Sequence, residues 1–158
     1  MKTLRQIPII LAIGLIACNP NRVYETHYKD FPNYRWDKNK VLEFTPEIID
    51  TTETYRVYLA LRHVYGFQFE NMKVKVTSIT PSGKSAIKNY EFPVFGPDKK
   101  YLSDCAGDIC DLEAVIEESV NFKEVGTYKY TIEHEMPVDP LPNVMEFSLI
   151  IEKHVKAQ

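Results

Sequence analysis

Residues 54–64, TYRVYLALRHV, alternate regularly between two sets of side chains. One face of an extended strand would carry Tyr55, Val57, Leu59 and Leu61, and the other Arg56, Tyr58, Ala60 and Arg62. A period of two is typical of a β-strand that buries one face against a core. This stretch therefore predicts a half-buried strand, and it sets the expectation for the rest of the chain.

Shorter segments on both sides alternate in the same way and predict further strands. They are residues 22–28, 40–45, 72–79, 85–92, 127–135 and 144–155. The sequence Pro81-Ser82-Gly83-Lys84 predicts a turn that joins two of them into a hairpin, because proline fixes φ and glycine tolerates positive φ. Residues 111–122 fit both a strand and a helical stripe, and we expect a strand that ends in a short helical turn.

Seven or eight short strands, with no long helical pattern, indicate an all-β protein. We predict a two-sheet antiparallel β-sandwich that forms a single domain over residues 22–158. Residues 92–111 contain two prolines, two glycines and two cysteines, and we expect them to form the longest irregular loop. Gly126-Thr127-Tyr128 resembles a tyrosine corner, and an ordinary core tyrosine explains it equally well.

The first eighteen residues, MKTLRQIPIILAIGLIAC, have the organisation of an export signal. Lys2 and Arg5 precede an apolar run of about ten residues, which is too short to span a bilayer as a helix. The closing Leu15-Ile16-Ala17-Cys18 resembles the lipobox of bacterial lipoproteins. The alternatives are a plain signal peptide with an incidental cysteine and a buried amphipathic start.

The lipobox interpretation divides the chain at Cys18. Residues 1–17 would be the lipoprotein signal peptide, and residues 18–36 would form a lipidated tether and the first strand. Acylation of Cys18 would fasten the protein to a membrane, since two or more acyl chains anchor stably whereas one anchors marginally.

Composition supports a folded domain and disfavours a nucleic-acid partner. The 141 residues from Cys18 to Gln158 suit one domain, and 44% of the chain is hydrophobic and 12% aromatic. Loss of Lys2 and Arg5 with the signal would lower the formal charge from −3 to −5, which opposes binding to phosphate backbones.

Cys105 and Cys110 remain as a pair after lipidation of Cys18. An oxidising compartment favours a disulfide between them, with free thiols as the alternative. Zinc is disfavoured because the four histidines are scattered along the chain, so we predict no metal site and no cofactor.

No catalytic motif is present, and we predict that the protein is not an enzyme. Glu133-His134-Glu135 does not form an acid–base group, since neighbours on a strand point to opposite faces, and we expect His134 at the surface or an edge. Asp104, Asp108 and Asp111 lack the spacing of a calcium loop and indicate a solvated acidic loop.

Aromatic residues cluster just after the proposed tether. Tyr34 and Trp36 are candidate binding residues within this cluster, because stacked aromatics can form a platform for sugars. Packing of the first strand explains the same residues more simply.

Several short motifs follow one another along the chain in a definite order and spacing. They are the lipobox, Trp36, Phe44, Asp50, Tyr55, Leu61-Arg62-His63, Tyr65, Asn71-Met72, Pro81-Ser82-Gly83, Phe122, Gly126-Thr127-Tyr128, Ile132 to Met136 and Asp139-Pro140-Leu141. Together they resemble the gliding-motility lipoproteins of the GldH family. The chain departs from the family where Pro137 replaces an arginine. It also departs at Tyr101–Cys110, which replace a glycine-rich segment containing tryptophan.

The resemblance implies a cell-envelope lipoprotein that works beside the gliding machinery and its secretion system, with no catalytic residues to transfer. We accordingly expect a non-catalytic interaction module whose partners are the membrane, through Cys18, and other envelope proteins. A glycan-binding lipoprotein is the alternative. Residues 19–22 carry no acidic run, which favours an outer-membrane protein that faces the periplasm.

Overall fold

The computed structural model describes residues 19–154. Its strands are β1 (Arg22–Tyr28), β2 (Arg35–Trp36), β3 (Leu42–Phe44), β4 (Glu47–Ile48), β5 (Tyr55–Val64), β6 (Asn71–Ile79), β7 (Ser85–Pro93), β8 (Asp104–Ala106), β9 (Ile109–Val120), β10 (Gly126–Thr127), β11 (Lys129–His134), β12 (Leu141–Pro142) and β13 (Val144–Lys153). A single turn of 3-10 helix, Pro32–Tyr34, precedes β2.

Two antiparallel sheets form the two layers of a sandwich. One sheet has five strands in the order β1-β13-β5-β9-β8, and the other has four in the order β3-β11-β6-β7. The short pairs β10-β4 and β12-β2 supplement these layers. The all-β sandwich expected from the sequence is therefore confirmed.

Strand β5 follows the predicted alternation along its whole length. Its inward residues, from Tyr55 to His63, are buried and its outward residues are half-buried. The neighbouring β13 is buried on both faces between Phe147 and Ile151. On its outer face, Ser148 and Ile150 are surrounded by side chains of the flanking strands β1 and β5, among them His27 and Arg62. β5 and β13 form the centre of the core.

Three details differ from the sequence expectations. Residues 109–120 form one continuous strand, so the short helical turn was wrong. Residues 92–111 are not wholly irregular, since β8 and β9 form a tight hairpin. The two-residue strands were not expected, because a ladder of two pairs leaves no periodic pattern in sequence.

The strands give the sandwich two ends, which we call the near end and the far end. The near end contains Asn19, the β5–β13 pair Tyr55 and Lys153, and the turn between β6 and β7. The far end contains Val64, the β8–β9 hairpin and the start of β13 at Val144. Cys18 lies outside the described residues and directly precedes Asn19 in sequence.

Candidate functional site

Loops from four parts of the chain meet at the far end. Arg35 pairs with Pro142 across β2 and β12. The Asn143 side chain donates to the Gly66 carbonyl at 3.1 Å, and the Tyr65 amide donates to the Asp108 carbonyl at 2.8 Å. Segments distant in sequence therefore form one continuous surface at this end.

A disulfide closes the β8–β9 hairpin within this surface. Cys105 and Cys110 face each other across the hairpin and are joined by an S–S bond. Cys110 is fully buried and pairs with His63 of β5, whereas Cys105 is exposed. The bond therefore joins an exposed hairpin arm to the edge of the core.

His63 connects the core to the loop that precedes the hairpin. Its Nδ1 lies 3.1 Å from the Val64 carbonyl, and its Nε2 lies 2.8 Å from the Ser103 hydroxyl. A carbonyl only accepts, so Nδ1 donates to Val64 and Nε2 accepts from Ser103. Burial lowers the pKa of His63, which keeps the ring neutral and suited to this arrangement.

Tyr101 holds the two adjacent loops together. Its hydroxyl donates to the Phe67 carbonyl at 2.8 Å and accepts from the Gly66 amide at 3.0 Å. Its ring stacks on Phe95 with centroids 4.4 Å apart and meets the edge of Tyr65 at 5.3 Å. The loops of the far end are thus cross-linked by hydrogen bonds, aromatic contacts and a disulfide.

These fixed loops present large apolar side chains to solvent. Tyr34, Tyr65 and Leu102 are 51%, 62% and 52% exposed, and Ile109 of the hairpin is also exposed. Asp104 begins β8 and Asp108 lies in the turn of the same hairpin, and neither forms an ion pair with any residue between 19 and 154. The far end therefore combines exposed apolar groups with unpaired carboxylates.

Trp36 does not belong to that exposed surface, and its assignment as a binding residue was wrong. It is 0% exposed, its ring packs against Phe147 and His134, and its Nε1 donates to the Lys40 carbonyl at 2.8 Å. A fully enclosed indole offers no face to a ligand, so Trp36 is a core residue.

Tyr34, the other candidate binding residue, is exposed to solvent. Asn33 and Tyr34 both have left-handed backbone conformations, with φ of 54° and 58°. Asparagine tolerates this region, whereas a bulky residue is strained in it. Tyr34 is therefore an exposed aromatic residue in an unfavourable backbone conformation, the kind of strain that concentrates at functional sites.

His134 lies in the core, so its expected position at the surface or an edge was wrong. Its Nε2 donates to the Trp36 carbonyl at 3.1 Å, and its Nδ1 is buried without a hydrogen-bond partner among the described residues. Burial lowers the pKa of His134, and the neutral ring leaves only an unpaired acceptor rather than a buried charge.

A second feature is a cleft of about 300 Å³ between the sheets, where β7 and β9 face each other. Glu117 lies at its mouth and accepts from the Lys88 ammonium and the Tyr90 hydroxyl, each at 2.5 Å. Partial burial would raise the pKa of Glu117, but these two donors outweigh it and lower the pKa. We call Lys88, Tyr90 and Glu117 the side latch.

Glu117 reaches this position through a β-bulge that no sequence pattern revealed. Val115 pairs with outward-facing Tyr58 and Glu117 pairs with inward-facing Val57, so Ile116 is an extra residue between them. Side chains alternate between the two faces of a sheet, so one inserted residue moves the next side chain to the opposite face. Glu117 therefore points inward.

His27, Ser148 and Glu146 lie together on the outer face of the five-stranded sheet. The three residue types resemble a catalytic triad, but the serine is not accessible to a substrate. His27 Nδ1 lies 2.8 Å from the Ser148 hydroxyl and 2.6 Å from a Glu146 carboxylate oxygen. Ser148 is only 2% exposed, so a substrate carbonyl has no access to that hydroxyl. The grouping is best explained as a hydrogen-bond network that satisfies two buried polar side chains.

Within residues 19–154, no three side chains of the metal-binding types converge on one point. That part of the chain also lacks a helix with the length and hydropathy needed to cross a bilayer.

The family model of the GldH lipoproteins matches residues 22–151, which include nearly all of the sandwich. The chain belongs to the GldH lipoprotein family. Membership identifies a gliding-motility lipoprotein of the cell envelope, as the sequence motifs indicated.

Two curated GldH proteins show how far the similarity extends. The gliding motility lipoprotein GldH of Flavobacterium johnsoniae is 30% identical over 126 residues, covering 80% of this chain and 77% of its own length. The GldH homolog of Christiangramia forsetii is 26% identical over 128 residues, covering 81% of this chain and 77% of its own length.

A solved structure, the VP2 subviral particle of infectious bursal disease virus, is similar over 94% of this chain and 37% of its own chain. The sequence identity is 11% and the TM-score is 0.34, and we draw no conclusion from a score this low.

Proposed function

We propose that this GldH-family protein is a lipid-anchored, non-catalytic interaction module of the gliding apparatus and its associated secretion system. In this proposal Cys18 carries the lipid, the protein resides in the outer membrane, and the sandwich faces the periplasm. Family membership supports a role in gliding motility at the cell envelope, and we propose the far end as the docking surface.

The observation that carries the proposal is the exposure of apolar side chains on loops that are themselves fixed. Tyr65 and Leu102 lie beside the Tyr101 cross-link, and Ile109 lies in the disulfide-closed hairpin. Fixed loops lose little conformational entropy when a partner binds, and exposed aromatic groups are typical anchors of protein interfaces.

The chemistry of the far end describes the partner. Exposed apolar groups favour an apolar patch on the partner, and Asp104 and Asp108, which have no ion-pair partner among residues 19–154, favour lysine or arginine beside that patch. We therefore expect another envelope protein with a basic rim around an apolar centre.

Complementation of a deletion strain tests this docking surface. We expect Tyr65→Ser with Leu102→Ser to reduce surface spreading although the protein is folded and abundant, because both side chains contact the partner. Ile87→Ser is the matched control, since Ile87 is 65% exposed on β7 away from the far end. Equal spreading by the two strains would contradict docking at this end.

Photocrosslinking locates the partner directly. A benzoylphenylalanine at position 65 should capture an envelope protein, and the same group at position 87 should not. Capture from position 87 alone would move the docking surface to β7.

Lipidation and topology have separate tests. Cys18→Ala should abolish palmitate incorporation and fail to restore spreading, and globomycin should block maturation. Protease added to intact cells should leave a periplasm-facing domain uncut, so ready digestion would overturn that orientation.

Glycan binding is the second candidate, and exposed, strained Tyr34 is the observation that favours it. Polysaccharide retardation gels with Tyr34→Ala as the control test this function. Unchanged mobility on a broad polysaccharide panel would eliminate it.

A further inference from the structure

We propose that the near end of the sandwich contacts the membrane surface through Ile49 and Val125, as a second attachment beside the lipid. This inference rests on the proposed acylation of Cys18. It adds a defined orientation to the proposed function, with the near end against the bilayer and the far end directed away from it.

The first step is that Asn19, the residue after Cys18 in sequence, is already fastened to the domain. Its side chain donates to Glu152 at 3.0 Å, and its carbonyl accepts from the Arg22 amide at 3.1 Å. The Asn21 carbonyl also accepts from the Lys153 amide at 2.8 Å. One residue spans at most about 3.8 Å, so a lipid on Cys18 would hold this end of the sandwich at the bilayer.

The second step is that two aliphatic side chains protrude at this same end. Ile49 is 79% exposed and Val125 is 61% exposed. Gly126 pairs with Ile48 across β10 and β4, so Val125 and Ile49 occupy the next position of that antiparallel ladder. They therefore form one exposed apolar pair, which we call the near-end tip.

The third step is that the backbone on both sides of the tip is fixed. The Tyr128 hydroxyl lies 3.2 Å from both the amide and the carbonyl of Glu124, which favours the tyrosine corner over the ordinary core tyrosine that the sequence allowed equally. The Glu124 carboxylate also accepts from the Ser82 amide and hydroxyl, both at 2.8 Å. Val125 follows directly, so these contacts hold the backbone next to its exposed side chain.

Ile49 is held by comparable contacts. The Tyr55 hydroxyl donates to the Asp50 carbonyl at 2.6 Å, and the Asp50 side chain accepts from the Thr52 amide at 2.8 Å. Gly126 has a φ of +126°, and a Cβ there would meet Pro81 at 3.2 Å, so the hairpin turn is packed closely against this loop. The tip is thus a rigid projection.

The position of Asn19 favours a bilayer over a protein as the surface that the near-end tip contacts. A bilayer next to Asn19 is already within reach, whereas a protein partner would have to enter the narrow gap beside the lipid. Lys123 and Glu124 directly precede Val125 in sequence, and Asp50 follows Ile49, so the charges beside the tip are of both signs. We therefore expect an apolar contact that changes little with salt concentration.

Tryptophan scanning in the full-length acylated protein tests the contact. Ile49→Trp and Val125→Trp are made separately and reconstituted into vesicles of phosphatidylethanolamine and phosphatidylglycerol. The native Trp36 is the only tryptophan of the chain and is fully buried, so it contributes a constant background. Leu102→Trp at the far end is the matched control.

Brominated acyl chains should quench most of the added emission of the Ile49→Trp and Val125→Trp variants and leave that of the Leu102→Trp variant unchanged. Emission of the two near-end variants should also shift to the blue, equally at low and high salt. Unquenched near-end variants that still float with the vesicles would overturn the contact and leave lipid anchoring intact. Failure of the unmodified protein to acquire lipid or to float would overturn the proposed function and this inference with it.

Discussion

His63 and His134 show how single buried residues couple this fold to pH. Both rings contact aromatic side chains, and burial lowers the pKa of each below its ordinary value of 6.5. The folded protein therefore keeps both neutral at a pH where the unfolded chain already binds protons. The neutral rings make their hydrogen bonds, and a proton on either would create a buried charge.

We predict that acid destabilises the domain through these two histidines. Because their pKa values are lowered in the folded state, their contribution to stability is complete above about pH 6.5 and is lost as pH falls towards the folded pKa values. The loss is at most about 1.4 kcal/mol per pH unit for each histidine. Urea unfolding between about pH 7 and pH 5 measures it.

His134→Gln supplies the comparison for that experiment. The glutamine amide can still donate to the Trp36 carbonyl but does not titrate, so the free energy of unfolding should depend less steeply on pH. Parallel curves for the two proteins would show that His134 does not cause the acid sensitivity.

Trp36 and Tyr34, two residues apart in sequence, should respond oppositely to substitution. Trp36→Phe removes the hydrogen bond to Lys40 and leaves a void, which we expect to cost about 2 kcal/mol. Tyr34→Asn relieves the left-handed conformation and should be neutral or stabilising by up to about 1 kcal/mol. Chemical denaturation of both variants checks the pair, and an unaffected Trp36→Phe protein would refute its role in packing.

At the scale of elements, the side latch joins the edge strands β7 and β9 of the two sheets. β7 is the last strand of its sheet, and the part of β9 beyond its three pairs with β8 is also an edge. Unpaired edges invite pairing with other chains, and inward-pointing charges are one device that prevents it. Lys88 of β7 meets Glu117 of β9, so we expect the side latch to protect both edges from such pairing.

Removing the cation of the side latch should make the protein self-associate. Lys88→Thr leaves a good strand former in β7 without a cation beside Glu117, and we expect dimers or larger species in sedimentation velocity. Lys84→Thr in the adjacent turn removes the same charge without touching the latch. Association by both variants to the same extent would indicate a general effect of charge rather than of the edge.

Long elements were predictable from sequence because their own side chains encode which face is buried. The alternation in β5 gave its bounds to within one residue, and Tyr130, Ile132 and His134 alternate inward in β11 in the same way. The inward position of Glu117 could not be predicted, because a β-bulge moves side chains to the opposite face of the sheet and leaves no mark in the sequence pattern. For Trp36 the sequence allowed both a binding role and packing in the core, and it could not decide between them because the burial of this residue depends on Phe147 of β13, which is more than a hundred residues away.

At the scale of the whole molecule, the two ends of the sandwich differ in character. The near end begins one residue after the proposed lipid and carries the Ile49–Val125 tip, and the far end carries the exposed groups of the docking surface. β5 and β13 run between the two ends, so the sandwich sets a fixed distance between membrane and partner. Function should then depend on this distance as well as on surface chemistry.

A spacer inserted between Cys18 and Asn19 tests that dependence. Ten residues of glycine and serine have an end-to-end distance of about 18 Å, which would release the near end from the bilayer. We expect the protein to stay acylated, folded and membrane-bound, while surface spreading decreases and Ile49→Trp loses its quenching. An equally long insertion between Lys38 and Asn39 is the control, since this exposed turn carries none of the near-end or docking residues and the insertion adds the same residues without lifting the domain. Normal spreading with the spacer would mean that anchoring matters and the fixed distance does not.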